Sequence, residues 1–540
     1  MAIVTQTDKR TGIIYAYETI YHWDKEKKQS RSKRTCIGKV DLSTGNIIPT
    51  RGKAKKGELK AVSTVSTNSA FEKLPYAKHL YYGATYLFET FAKDIGVTKD
   101  LEQCFPETYK QILSIAFYLI LSDSSPLYRF EKWNATHKHP YGKDITSPKS
   151  SELFAAISDD QINQFFRLQA KRRIKEEYWA YDTTSFSSYS DGLEQVQWGK
   201  NKENDELPQI NLLLVFGEKS GLPFYYRKLA GNIPDFKTVH HYMEELNILE
   251  IGAVKLVLDR AFHTRKTIDA FFANKTKFLV GAKLSTRLVK DTLDSAYDDI
   301  RQFKNYDQAT KTYGCTIRTV WNYKQEYPDD CNNPQEKPSI DIHLFFNRDK
   351  QNESNQVFDD RLATLKEELL SGKLVAKNKK AYTKFFEEKE VPDNGTQILE
   401  KEDAIEKERK YFGYFAILTN ESMSAPTALH IYRMKDLVEK AFGNMKEKLD
   451  LRRLLVKSEK ALDGKLFVSF VALILISHLD HKMKEAKLYQ KYSMLQLLDK
   501  LDVIECFENE NHKLRVGEIL KQQEDIYNAL GVPVLTSSSC

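Results

Sequence analysis

Residues 178–184 read Tyr-Trp-Ala-Tyr-Asp-Thr-Thr, and residues 254–259 read Val-Lys-Leu-Val-Leu-Asp. The first reads as a strand ending in an acid and two hydroxyls, the second as one ending in an acid, and together they decide the fold. Between them, Ile210 to Phe216 is nearly all apolar, as expected of a strand buried on both faces. Leu222 to Lys228 follows across the turn Gly217-Glu-Lys-Ser-Gly221, then come Gly231-Asn-Ile-Pro-Asp235 and a helix over 237–246. After Asp259, a helix over 265–272 leads into a strand from Lys277 to Gly281. The order β-β-β-α-β-α-β predicts an antiparallel trio followed by parallel crossovers: an α/β fold built on a mixed sheet with helices on its faces. In that sheet Asp182 and Asp259 close neighbouring strands, and the C-terminal edge of such strands is a common place for a site.

C-terminal to this block, Cys315 to Tyr323 and Ile340 to Phe346 alternate, a helix follows over 357–370, and 373–410 is charged with few apolar anchors. This reads as a β-rich insertion over 286–410 with an exposed end. The core pattern resumes at Tyr411, and Ser424-Ala-Pro426 supplies a helix start. At about 100° per residue, with Tyr432 at 0°, Lys435 falls at about 300°, Glu439 at about 340° and Lys446 at about 320°, one narrow stripe. Val438, Ala441, Met445 and Leu449 make the opposite, apolar face. Asp436 and Glu447 lie off the stripe, so Glu439 is the better candidate for a third acid beside Asp182 and Asp259, the alternative being a surface helix with Lys435 and Glu439 as an i,i+4 pair. Clustered carboxylates repel one another without a cation, and their hard oxygens suit Mg²⁺ or Mn²⁺.

N-terminal to the block, residues 76–175 lack strand alternation and read as a helical module. Residues 1–75 read as a basic β-hairpin and linker, with Lys25, Lys27, Lys28, Arg31, Lys33 and Arg34 at the tip. The chain carries 82 Lys+Arg against 75 Asp+Glu over 540 residues, a net charge of +7. Residues 1–60 alone hold 14 Lys/Arg and 6 Asp/Glu, a balance of +8, so the remainder is near neutral. The segregation points to a polyanion partner for the N-terminal segment, with those cations on phosphates. At 41% hydrophobic and 12% aromatic the chain is no disordered protein. Six scattered Cys without a Cys-x-x-Cys pair exclude a zinc ribbon and fit a reducing cytosol. The apolar run 466–476 is too short to span a bilayer and predicts a buried helix, so no membrane partner is expected. Residues 411–490 read as the second part of the core, after a first part over 176–285, and 491–540 as a helical tail. His137 and His139 have no Cys or carboxylate at metal spacing, and His240, His241 and His263, near the core, are not required by a carboxylate site.

The spacing Tyr432-x2-Lys435-x3-Glu439-x6-Lys446 resembles the Y-x2-R-x3-E-x6-K signature of one branch of bacterial insertion-sequence DDE transposases, with Lys in place of Arg at 435. Tyr181-Asp182-Thr183-Thr184, Gly231-Asn232 with Asp235, Leu258-Asp259-Arg260, Phe262 and Leu418-Thr419-Asn420 are similar to its surroundings. The resemblance covers roughly residues 80–530. It implies an RNase H-like (retroviral-integrase-like) core split by the insertion. It further implies Asp182, Asp259 and Glu439 as catalytic, metal-binding residues for two Mg²⁺ or Mn²⁺ ions, and cut-and-paste transposition. Tyr432, Lys435 and Lys446, with Arg433 beside them, would hold DNA, and Trp321 would hold a flipped base. The partners implied are transposon ends, target DNA and a second protomer of a synaptic homodimer, in a bacterial cytoplasm near the nucleoid. An RNase H-like nuclease without strand transfer, or a non-catalytic DNA-binding descendant, would share these motifs.

Overall fold

The computed structural model describes all residues except 1, 9–12, 25–28, 41–46, 49–77, 123–124, 173–176, 191, 200–205, 234–254, 323–337, 392–394, 448, 450–452, 455, 457, 509–513 and 537–540. The chain divides into two units, Met1–Leu74 and Pro75–Cys540.

In the first unit, Ala2–Thr7, Ile14–Asp24, Gln29–Val40 and Ile47–Ile48 pair in that order as an antiparallel sheet. The hairpin expected from the alternation of residues 14–24 is present, but its second strand starts at Gln29 rather than Thr35. Arg31, Lys33 and Arg34 therefore lie in a strand instead of the turn, and Arg34 is exposed. Lys25, Lys27, Lys28 and the linker fall outside the described residues.

The second unit is built on a 10-stranded mixed sheet. Its strands are β1 (Tyr178–Ser188), β2 (Gln209–Gly217), β3 (Pro223–Ala230), β4 (Lys255–Leu258), β5 (Lys277–Ala282), β6 (Tyr306–Asp307), β7 (Thr312–Val320), β8 (Ser339–Phe346), β9 (Tyr414–Thr419) and β10 (Arg453–Leu454). They run β6-β7-β8-β9-β5-β4-β1-β2-β3, with β10 alongside β1. The trio β1-β2-β3 is antiparallel, and β1, β4 and β5 are parallel, as the element order requires. The expected helix over 237–246 and the acid of the 231–235 turn lie outside the described residues.

Two expectations change here. Asp182 does not close its strand: β1 continues six residues further, to Ser188, because β2 still pairs with it beyond the end of β4. The segment 286–410 is not a separate β-rich body: β6, β7 and β8 extend the main sheet beyond β9. Alternation reports that one face of a strand is buried, and cannot say which sheet buries it. Among the described residues the part beyond β8 is mostly helical, with helices Arg348–Ser371, Lys379–Phe385 and Glu402–Arg409 and one hairpin, Phe386–Val391 with Gly395–Glu400. These share a small core of Phe358, Leu365, Tyr382, Phe385, Phe386 and Ile405.

The expected helical module is present among the described residues as six α-helices between Gly83 and Lys171. It shares one core with the sheet, centred on the helix Glu459–Glu485. This helix is long and apolar enough to cross a membrane by length and composition, since it extends well past the apolar run, but 83% of its most apolar window is buried inside the protein. The C-terminal segment is no free tail. Strands Glu505–Glu508 and Leu514–Val516 form a small sheet with Lys78–Tyr81, and the Tyr527 hydroxyl donates to the Gly83 carbonyl at 2.9 Å.

Candidate active site

The parallel register sets the site. Tyr181 lies opposite Leu258 in the β1–β4 ladder, so the next residues along, Asp182 and Asp259, emerge side by side. Asp182 is half-buried, and its Oδ1 accepts the Thr183 N–H at 2.7 Å. Asp259 caps a short helical turn, Arg260–Phe262, with Oδ2 accepting from the Ala261 N–H at 3.4 Å.

The third acid arrives on a helix, and the sequence explains its start. Ser424 accepts the Thr427 N–H at 3.3 Å, and Pro426 occupies the first turn. The single helix expected beyond Pro426 is two, α1 (Ala425–Arg433) and α2 (Lys435–Glu447), with Met434 between them. The junction is tight, as the N–H of Met434 reaches back only to the Ile431 carbonyl at 3.0 Å. The stripe survives the break. Val438, Ala441, Met445 and Leu449 are buried as the wheel places them, which turns the opposite face toward Asp259. Tyr432 Oη donates to Asp259 Oδ1 at 3.2 Å. Lys435 Nζ donates to the same oxygen at 2.8 Å and to Glu439 Oε1 at 3.4 Å. Lys446 sits over the Phe186 ring of β1, 5.5 Å from its centroid. Arg433 is exposed, and its charge adds a last, minor contribution to the low pKa of Asp307, which hydrogen bonds from Thr310 chiefly hold down.

The charges settle accordingly. Burial works to raise the Asp259 pKa, but the hydrogen bond and charge of Lys435, with two backbone N–H groups, outweigh it and hold it below the usual value. Burial opposes the Lys435 ammonium, and Tyr432, Asp259 and Glu439 overcome that opposition, raising its pKa. Burial and the neighbouring Asp259 raise the Tyr432 pKa, so its hydroxyl remains a donor.

Two contributors escaped the sequence reading. A Cβ on Gly281 would stand 2.3 Å from Tyr432 Oη, so the bare glycine of β5 is what lets the phenol reach Asp259. Its signal was a glycine inside an otherwise apolar strand, which marks close approach. Phe186, fully buried, offers the face beneath Lys446. Trp321 is 7% exposed, and its Nε1 donates to Asp269 at 2.7 Å. It walls a cleft of about 520 Å³ with His263, Arg265, Thr286, Arg287 and Asn322. His263 accepts the Lys283 N–H at 2.9 Å, and burial with the Lys283 charge pushes its pKa down to about 4, so it is neutral near pH 7. His240 and His241 lie outside the described residues.

The carboxylates of Asp259 and Glu439, joined through Lys435, are hard oxygen donors of the kind that suits a divalent ion. Among the described residues, no three potential ligands are grouped closely enough to hold one. A cation already stands between two of the acids, the Lys435 ammonium.

No curated protein matches the chain. A solved structure that does match is a piggyBac transposase synaptic complex with hairpin DNA, at 9% identity and a TM-score of 0.29, covering 83% of this chain and 73% of that one. Among family models, the transposase DDE domain matches residues 173–475. That match spans more than half of the chain and encloses Asp182, Asp259 and Glu439, and the chain belongs to the transposase DDE domain family.

Proposed function

We propose that the protein is a DNA transposase that cuts at the inverted-repeat ends of a mobile element and joins the freed 3′-OH to a target. The observation that carries this reading is the hydrogen-bonded group Tyr432–Asp259–Lys435–Glu439, set beside Asp182 at the ends of the β1–β4 ladder. Membership of the family implies dependence on a divalent metal. Asp182, Asp259 and Glu439 would be its ligands, and Mg²⁺ or Mn²⁺, as one ion or two, would activate water and neutralise charge on the scissile phosphate. The chain's own part is placement and charge, because phosphoryl transfer needs little covalent help. Tyr432 orients Asp259 through its hydroxyl. Lys446 and Lys435 supply cations to the phosphates of the bound end. The RNase H-like character of the core, a homodimeric synaptic complex and a site of action at the bacterial nucleoid belong to the same reading. So does DNA contact by Lys27, Lys28, Arg31, Lys33 and Arg34.

Alanine at Asp182, Asp259 or Glu439 is expected to abolish metal-dependent cleavage and joining on inverted-repeat DNA, with folding and DNA binding retained. Full activity in any one variant removes that residue from the assignment. Nicking without 3′-OH joining by the unaltered protein would make it a nuclease instead.

A further inference from the structure

Lys435 is an unusual lysine. Its side chain is only 21% exposed, and its ammonium lies 2.8 Å from Asp259 and 3.4 Å from Glu439. It also lies 5.4 Å from the centroid of the Tyr432 ring. It thus bridges the two carboxylates. A divalent ion held by Asp259 Oδ1 would sit about 2.0–2.1 Å from that oxygen if it were Mg²⁺. An ammonium and a divalent ion cannot share so close an approach without strong like-charge repulsion. One of them must leave, and the lysine, on a flexible four-carbon stem, is the one able to move. An arginine there would be a rigid planar fork, less able to swing away.

We propose that Lys435 is an exchangeable internal counter-cation. In the metal-free chain its ammonium neutralises Asp259 and Glu439. Metal binding takes over those oxygens and releases the ammonium, which then pairs with a phosphate of the bound DNA. Metal and DNA thereby favour each other's binding, because each receives a group the other sets free. The inference rests on Asp259 and Glu439 being metal ligands.

The test counts free Mn²⁺ by electron paramagnetic resonance with the full chain and no DNA. Lys435→Met removes the competitor, so its affinity for Mn²⁺ is expected to rise several-fold, up to about tenfold. Lys435→Arg keeps a cation in place and is expected to bind Mn²⁺ no more tightly than the wild type. Equal or weaker binding by Lys435→Met overturns the inference while leaving the ligand assignment intact. Mn²⁺ binding that is unchanged by both Asp259→Asn and Glu439→Gln overturns the ligand assignment and the inference together. A second readout uses only the wild type, in case Lys435→Met does not fold. Reductive methylation of Lys435, read by mass spectrometry, is expected to quicken several-fold when Mn²⁺ is added. An unchanged labelling rate overturns the exchange.

Discussion

Gly281 shows how much of the site depends on an atom that is missing. A Cβ there would meet Tyr432 Oη at 2.3 Å and the Arg260 backbone N at 3.1 Å. The nearer obstacle is the end of a side chain, which can swing aside at small cost in stability. Gly281→Ala is therefore expected to melt close to the wild type but to break the Tyr432–Asp259 hydrogen bond. Misplacement on the scale of 1 Å can slow chemistry by about a hundredfold, so cleavage should fall by about ten- to a hundredfold. Adding Tyr432→Phe to Gly281→Ala should then cost little more, and a fully additive loss in cleavage rate would show that the two do not act through one hydrogen bond. Asp182 lies within its strand rather than at its end, but Asp259 at a strand end and Glu439 on a helix stripe were legible as residue types. Gly281 and Phe186 were not, because their value lies in which side chain stands over them.

At the scale of elements, the site is held by helices that bury apolar faces and present polar ones. Val438, Ala441 and Met445 anchor α2, so the Tyr432-to-Lys446 stripe faces the acids even though the helix breaks at Met434. Periodicity survives such a break because the residue at the junction keeps helical dihedrals, near −65° and −18°. The break itself was not legible, since no proline or glycine marks it. The helix Glu459–Glu485 has an equally local dependence. A Cβ on Gly464 would come within 2.1 Å of the Phe154 carbonyl oxygen and 2.5 Å of its Cα. Here the obstacle is backbone of the neighbouring helix Ser147–Ala156, so the helices must part. Gly464→Ala is expected to destabilise the protein by about 1–3 kcal/mol, as overpacking does. A thermal or urea midpoint equal to the wild type would mean that the two helices already yield.

Across the whole molecule, stability and DNA affinity should respond to different charges. Burial pushes the pKa values of His139, His263 and His343 from 6.5 to about 4, helped at His139 and His263 by neighbouring lysines and opposed at His343 by Asp341. The folded chain therefore refuses protons that the unfolded chain accepts. Stability is fully present above about pH 6.5 and is lost as pH falls from there toward about 4, on the order of a few kcal/mol for each histidine. Urea midpoints between pH 7 and 4.5 check this: His139→Asn should lessen the slope, and a flat profile in the wild type would contradict the burial. DNA binding should instead follow the N-terminal cations. Replacing Arg31, Lys33 and Arg34 with Ala is expected to weaken binding alike on all sequences. It should also reduce the slope of log K against log salt by about 0.9 for each phosphate that is no longer neutralised, read from binding isotherms at several salt concentrations.

The sequence by itself determined the order of the core strands, the antiparallel trio with the parallel strands that follow it, and the helix stripe that carries Tyr432, Lys435, Glu439 and Lys446. These are local signals, set by the side-chain periods of strands and helices within one segment of chain. Only the tertiary structure decided that β7 and β8 join the main sheet and that β1 runs on past Asp182. It alone folded the C-terminal segment back onto Gly83 and placed Lys435 between Asp259 and Glu439. Each of those outcomes depends on a partner far away along the chain, and no segment's own periodicity records which partner it will meet.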